Sequence, residues 1–244
     1  MRTSVARTSG NPVLDPITTS GKRIEIISDR IGSMRRRVKW VGNYFRDNAP
    51  GKVAMLTVTY ADAQAWEGRH VSDLLMNIRK WLKTKGHTLR YVWVAELQKR
   101  GAVHYHICIW LPKGLSLPKP DKKGWWPHGF TNIKWAKKAV KYCLKYVSKL
   151  ESKDVRFPRG MRLHGSGGLD ADARDEKKYR FLPAWLQQLT SSQCKVSRAK
   201  GGGWVSRVTG EFFKSPYTVL YFIYRPGIGR IAIIGMAEGD LSHA

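Results

Sequence analysis

The chain has 244 residues, 42% of them hydrophobic and 25% charged, with 44 Lys and Arg against 18 Asp and Glu. Such a composition buries a core and excludes wholesale disorder, and a formal net charge of +26 makes a polyanion the expected partner, nucleic acid before an anionic membrane. No apolar run is long enough to span a bilayer, no GxxxxGK[ST] motif occurs, and Cys108, Cys143 and Cys194 form no CxxC, so they read as reduced thiols of a cytoplasmic protein.

Residues 1–22, rich in Ser, Thr, Pro and Gly and without the apolar stretch of a secretory signal, read as a flexible segment. Ile24, Ile26 and Ile27 precede a basic helix from about Met34 to Phe45 that carries Arg35, Arg36 and Arg37. The β-branched run Val53 to Tyr60 (VAMLTVTY) reads as a strand. Ser72 is placed to cap a helix to about Lys85, with Leu74, Leu75, Ile78 and Leu82 as its buried stripe. Tyr91 to Gln98 and Val103 to Leu111 read as two strands around a short turn, and Phe130 to Ile133 as a brief strand. Trp135 to Leu150 reads as a helix, 160–175 as a long loop, Lys178 to Leu189 as a helix interrupted at Pro183, and Gly203 to Ile234 as hairpins. Together these divide the chain into residues 1–22, a core over 23–155 and a C-terminal elaboration over 156–244 packed on it.

Within the paired strands, His104-Tyr105-His106 places two imidazoles on one face, because strand side chains alternate. Two His on one side of a sheet are half of a divalent-metal site. Glu96 is the one acidic residue between Asp73 and Asp121, and an odd-length turn through Lys99-Arg100-Gly101 sets it on the same face. A buried carboxylate in the apolar run YVWVAEL needs a partner. Glu96, His104 and His106 are therefore the candidate metal ligands, set against the plainer reading of a solvated strand face.

The following helix repeats Tyr142, Lys145, Tyr146 and Lys149 on one stripe, with Val140, Cys143, Leu144, Val147 and Leu150 as the packing side. Nine Lys and one Asp lie between Lys119 and Lys149, and residues 51–150 hold +14 of the net charge. That segment is the expected phosphate-binding region, with Lys137, Lys138 and Lys141 as further contacts and Trp125 and Trp126 as rings for unpaired bases. A phenol is a weak nucleophile with a pKa of about 10. A metal on the phosphate and a lysine beside the phenol are what such a nucleophile needs to cut a phosphodiester and keep its energy in a covalent link.

The HYH strand, the upstream Glu96 and the YxxKYxxK helix resemble the HUH endonucleases, and within them the two-tyrosine rolling-circle replication initiators of single-stranded DNA phages and related plasmids; VAMLTVTY is similar to the family's first motif. The resemblance covers about residues 50–150. It implies an α+β fold with a central antiparallel sheet and flanking helices. It implies Mg²⁺ or Mn²⁺ on Glu96, His104 and His106, nucleophiles at Tyr142 and Tyr146, and Lys145 and Lys149 beside them. The implied activity is nicking of single-stranded or cruciform origin DNA through a 5′-phosphotyrosine, with strand rejoining. A host helicase would open the duplex and a host polymerase would extend the 3′ end, in the host cytoplasm. Two alternatives stay open: a transposase or mobilisation relaxase of the same superfamily, and a basic binding protein without catalysis. Cys108 stands where a relaxase-type third His would fall.

Overall fold

The computed structural model describes residues 24–26, 30–98, 100–151, 157–158, 160–200, 202–225 and 229–236. In chain order the elements are β1 (Ile24–Ile26), α1 (Arg30–Asn48), β2 (Lys52–Tyr60), α2 (His70–Thr84), β3 (Arg90–Leu97), β4 (Val103–Leu111), β5 (Gly129–Trp135), α3 (Ala139–Glu151), β6 (His164–Gly167), α4 (Ala171–Arg180), α5 (Ala184–Leu189), β7 (Val196–Arg198), β8 (Trp204–Ser206), β9 (Phe212–Phe213), β10 (Tyr217–Arg225) and β11 (Gly229–Met236). The expected flexible segment 1–22 lies outside the described residues. The chain divides into two compact units, one of Arg30–Leu169 and one of Met1–Asp29 with Asp170–Ala244.

The first unit is built on a five-stranded antiparallel sheet in the order β5-β2-β4-β3-β6, flanked by helices. It is the α+β arrangement expected from the sequence. The two-residue alternation of the strands sorts side chains to two faces. Ala54, Leu56, Val58 and Tyr60 of β2, Trp93 and Ala95 of β3, and Tyr105, Ile107 and Ile109 of β4 meet Val71, Leu74, Leu75, Ile78 and Leu82 of α2 in one core. Burying a Leu or Ile side chain fully contributes about 1.5–3 kcal/mol, so the α2 stripe fixes that helix on its face. On the other face Met55, Val92, Val94, Cys108 and Trp110 pack with Met34, Val38, Val41 and Phe45 of α1 and with Ala139 and Cys143 of α3.

Three local expectations are corrected. Residues 160–175 are not one loop: His164–Gly167 forms the strand β6 on β3, and α4 starts at Ala171 with the Asp170 carboxylate accepting from the Ala173 N–H at 2.8 Å. The glycines that suggest a loop are required there, since a Cβ on Gly165 would stand 2.5 Å from Trp93 Nε1 and one on Gly167 2.6 Å from the Tyr91 ring. Ser72 does not cap α2; the helix begins two residues earlier at His70, which is buried and faces the Tyr60 hydroxyl at 3.2 Å. The helix expected from Lys178 starts at Ala171 instead, ends at Arg180, and resumes as α5 after Pro183.

In the second unit, β1, β11 and β10 form one antiparallel sheet and β7, β8 and β9 another. Leu182, Leu186 and Phe213 make a small core with Tyr179, Trp185, Val196 and Trp204, and the Arg198 guanidinium lies 4.2 Å over the Trp204 ring.

Candidate metal centre and tyrosine helix

The β3–β4 hairpin decides which residues meet. The Gln98 N–H donates to Ala102 O at 2.9 Å, the Gly101 N–H donates to Gln98 O at 3.0 Å, and Gly101 adopts φ +84°, a left-handed value that suits glycine. This closure pairs Glu96 with His104 and Val94 with His106. Arg100 pins the hairpin to the end of β2, donating to the carbonyls of Tyr60 and Ala61.

Glu96, His104 and His106 share one face, and their ligand atoms lie within 4.8 Å of one another. Among the described residues they are the one such group of three. Glu96 Oε2 stands 3.0 Å from His106 Nε2, with both side chains largely buried. Two hydroxyls hold the other sides of the rings: Thr57 Oγ1 is 3.3 Å from His106 Nδ1 and Thr59 Oγ1 is 2.5 Å from His104 Nε2. Each ring thus has one nitrogen engaged by β2 and one left for another partner, the arrangement that orients metal-binding imidazoles. Burial pulls the His104 pKa down to about 4, assisted by His106 and Arg100 and opposed by Glu96, so its imidazole is neutral near pH 7. Two neutral imidazole nitrogens and a carboxylate fit a divalent cation, with imidazole suited to transition ions and carboxylate to Mg²⁺ or Mn²⁺.

Thr57 and Thr59 went unrecognised as site residues in the sequence. The signal was present: Thr-Val-Thr repeats the alternation of His-Tyr-His, and the register pairs Thr57 with His106 and Thr59 with His104.

Helix α3 lies against the same face. Cys143 Sγ is 3.3 Å from Cys108 Sγ, and both thiols are free and buried. Cys108, the third position of the HxH alternation, is therefore committed to packing under the helix. One turn further, the Tyr146 ring stacks on His106 at a centroid distance of 3.4 Å and an interplanar angle of 8°. Tyr142 is instead 41% exposed. The two phenols expected to point outward together are thus unequal, because the axis of α3 carries Tyr146 over the sheet while Tyr142 remains at its rim. Lys137, Lys138, Lys141 and Lys145 are exposed; the side chain of Lys149 lies outside the described residues.

Other expected contacts divide. Trp126 is 1% exposed, with its indole N–H donating to Thr59 O at 3.2 Å, so it is a core residue with no open face for a base. Trp125 is half-buried near Trp81. On α1, Arg35 is exposed whereas Arg36 and Arg37 are half-buried, and burial lowers the Arg37 pKa with Arg36 adding to it. His128 stacks on His70 at 3.6 Å and sits edge-on to Trp126, within a separate aromatic cluster.

Residues 53–151 match a family model, that of the replication-associated protein ORF2/gene 2 protein. No curated protein and no solved structure matches the chain. The matched segment begins in β2 and ends at the last residue of α3, and so contains every strand and helix that contributes to the Glu96, His104, His106 and Tyr146 cluster. No helix among the described residues is long and apolar enough to cross a membrane.

Proposed function

We propose, from the replication-associated segment over residues 53–151, that this protein is a replication initiator that nicks single-stranded origin DNA and rejoins it through a phosphotyrosine. The observation that carries the reading is the Tyr146 ring lying on the His106 imidazole, beside Glu96 and His104. A nucleophile and a three-donor cation site on one sheet face are the two parts that phosphodiester cleavage by tyrosine requires.

Glu96, His104 and His106 would hold the ion, Mg²⁺ or Mn²⁺, which when bound supplies charge neutralisation at a phosphate oxygen. The residues of the chain do the rest. Thr57 and Thr59 keep the two imidazoles facing the site. The Tyr146 phenol oxygen attacks phosphorus and forms the tyrosine–phosphate bond as the bond from phosphorus to the 3′ oxygen breaks. The phenol proton is lost to solvent, and the departing oxygen takes up a proton to become a 3′ hydroxyl. Lys145, exposed next to Tyr146 on α3, steadies the anionic phosphotyrosine, with Lys149 in the same role. Tyr142 serves the second transfer, which frees the first tyrosine and joins the strand. The 3′ hydroxyl is then a primer for a host polymerase, behind a host helicase.

The test is a labelled single-stranded origin oligonucleotide incubated with the protein and Mn²⁺, resolved on a denaturing gel. A covalent protein–DNA adduct is expected with Mn²⁺. It should vanish in EDTA and in His106→Ala. An adduct that survives both would overturn the assignment, and binding with no adduct under any metal would favour a non-catalytic DNA-binding protein.

A further inference from the structure

The sheet face that carries Glu96, His104 and His106 continues onto the edge strand β5. Strand register sets one row as Glu96, His104, Thr59 and Phe130, and the next as Val94, His106, Thr57 and Asn132. Lys134 ends the third row, opposite Met55. The principal contacts of α1 and α3 with this sheet fall on β3, β4 and β6, away from β5. Phe130 is accordingly 70% exposed, and Asn132 and Lys134 are exposed beside it. Thr131 between them turns to the opposite face, where it is buried and donates to the Asp121 carboxylate. A phenyl ring this open has no packing role, yet its strand position aligns it with the two His-bearing rows.

We propose that the β5 strip of Phe130, Asn132 and Lys134 is the track on which a single strand of DNA reaches the candidate metal cluster, with an unpaired base stacked on Phe130 and a neighbouring phosphate on Lys134. This rests on the endonuclease reading above and names where its substrate lies. A flat exposed ring suits an unpaired base, which offers a free π face; a duplex keeps its faces stacked internally. The charge around the ring is uniformly basic, since Lys134 is followed by the exposed Lys137 and Lys138 before α3 begins. That pattern complements a phosphate chain. The sequence alone points base stacking to Trp125 and Trp126, which the fold half-buries and buries.

The experiment is anisotropy of a labelled oligodeoxythymidylate of about sixteen nucleotides, bound to the full chain in EDTA. Phe130→Ala should weaken binding roughly ten- to hundredfold, and Phe130→Trp should restore it. Lys134→Ala should reduce the slope of log affinity against log salt by about 0.7, the loss of one phosphate contact. A duplex of the same length should bind Phe130→Ala and the parent equally. Unchanged single-strand affinity in Phe130→Ala, or an equal loss on duplex, would overturn the proposal. Binding in EDTA uses neither the ion nor the tyrosines. A Phe130-dependent affinity with no Mn²⁺-dependent adduct would therefore sink the nuclease reading alone, and an adduct with Phe130-independent affinity would sink the track alone.

Discussion

Tyr146 lies flat on His106, ring over ring at 3.4 Å, while Tyr142, one helical turn earlier, stands 41% exposed. Two tyrosines on one helical stripe thus have unequal access to the same imidazole, and that inequality should order the two transfers.

Tyr146→Phe keeps the stacked ring and removes the hydroxyl. It should lower adduct formation at the first cleavage by at least about tenfold, or roughly 1.4 kcal/mol of barrier, whereas Tyr142→Phe should retain the first cleavage and lose strand joining. The double variant should form no adduct. Adduct and joined product, quantified from one single-stranded substrate, separate the steps; equal losses in the two single variants would show that the stacking sets no order.

Thr59→Val replaces the hydroxyl that faces His104 Nε2 by a methyl group of similar size. Groups that orient ligating imidazoles typically matter by about 10–100-fold in metal affinity. Calorimetric titration with Mn²⁺ should show a loss in that range for Thr59→Val and for Thr57→Val. Affinity equal to the parent protein would mean that the rings are held by the strand alone.

His104 gives stability a pH signature in metal-free protein. Its pKa is drawn down to about 4 by burial first and by His106 next, whereas an unfolded His titrates at about 6.5. Between those values the unfolded chain binds a proton that the folded chain refuses, so stability is full above about pH 6.5 and falls as pH drops toward 4. Denaturation midpoints in EDTA at pH 7.5, 5.5 and 4.5 should fall more steeply for the parent than for His104→Gln. Parallel curves would place the titration elsewhere.

Gly165→Ala puts a Cβ 2.5 Å from Trp93 Nε1, and Gly167→Ala puts one 2.6 Å from the Tyr91 ring. Overpacking of this kind costs about 1–3 kcal/mol. Chemical denaturation of each variant measures it. Pairing with Trp93→Phe should recover part of the Gly165 loss if the indole is the obstacle.

The sequence was most legible where chemistry and periodicity coincided. The HYH alternation, a single carboxylate upstream and a glycine in the turn sufficed to place Glu96 beside His104, because strand parity leaves few choices once the loop length is odd. The helix of Tyr142 and Tyr146 was equally clear, but its orientation was not. A stripe of phenols and ammonium groups reads as outward-facing, and only the packing of Cys143 against Cys108 turns Tyr146 over the imidazole. β6 was illegible because His-Gly-Ser-Gly has no strand propensity of its own; it is a strand by virtue of the aromatic rings of Trp93 and Tyr91 that occupy the space of its missing side chains. The tryptophan pair misled for the converse reason, since an aromatic-rich basic segment gives no hint of which ring the core takes.

That late strand has a consequence for how the chain can be divided. A polypeptide ending at residue 155 would carry HYH, Glu96 and both tyrosines, yet it would leave the backbone N–H and C=O groups of β3 from Tyr91 to Val94 without the neighbour that β6 supplies. An open, flat, apolar strand edge recruits other chains. Such a truncation should self-associate on concentration, whereas one spanning 30–169 should elute as a single species by size-exclusion chromatography with light scattering. The tetrapeptide His164–Gly167, with almost no side chain to offer, acts as a cover against aggregation.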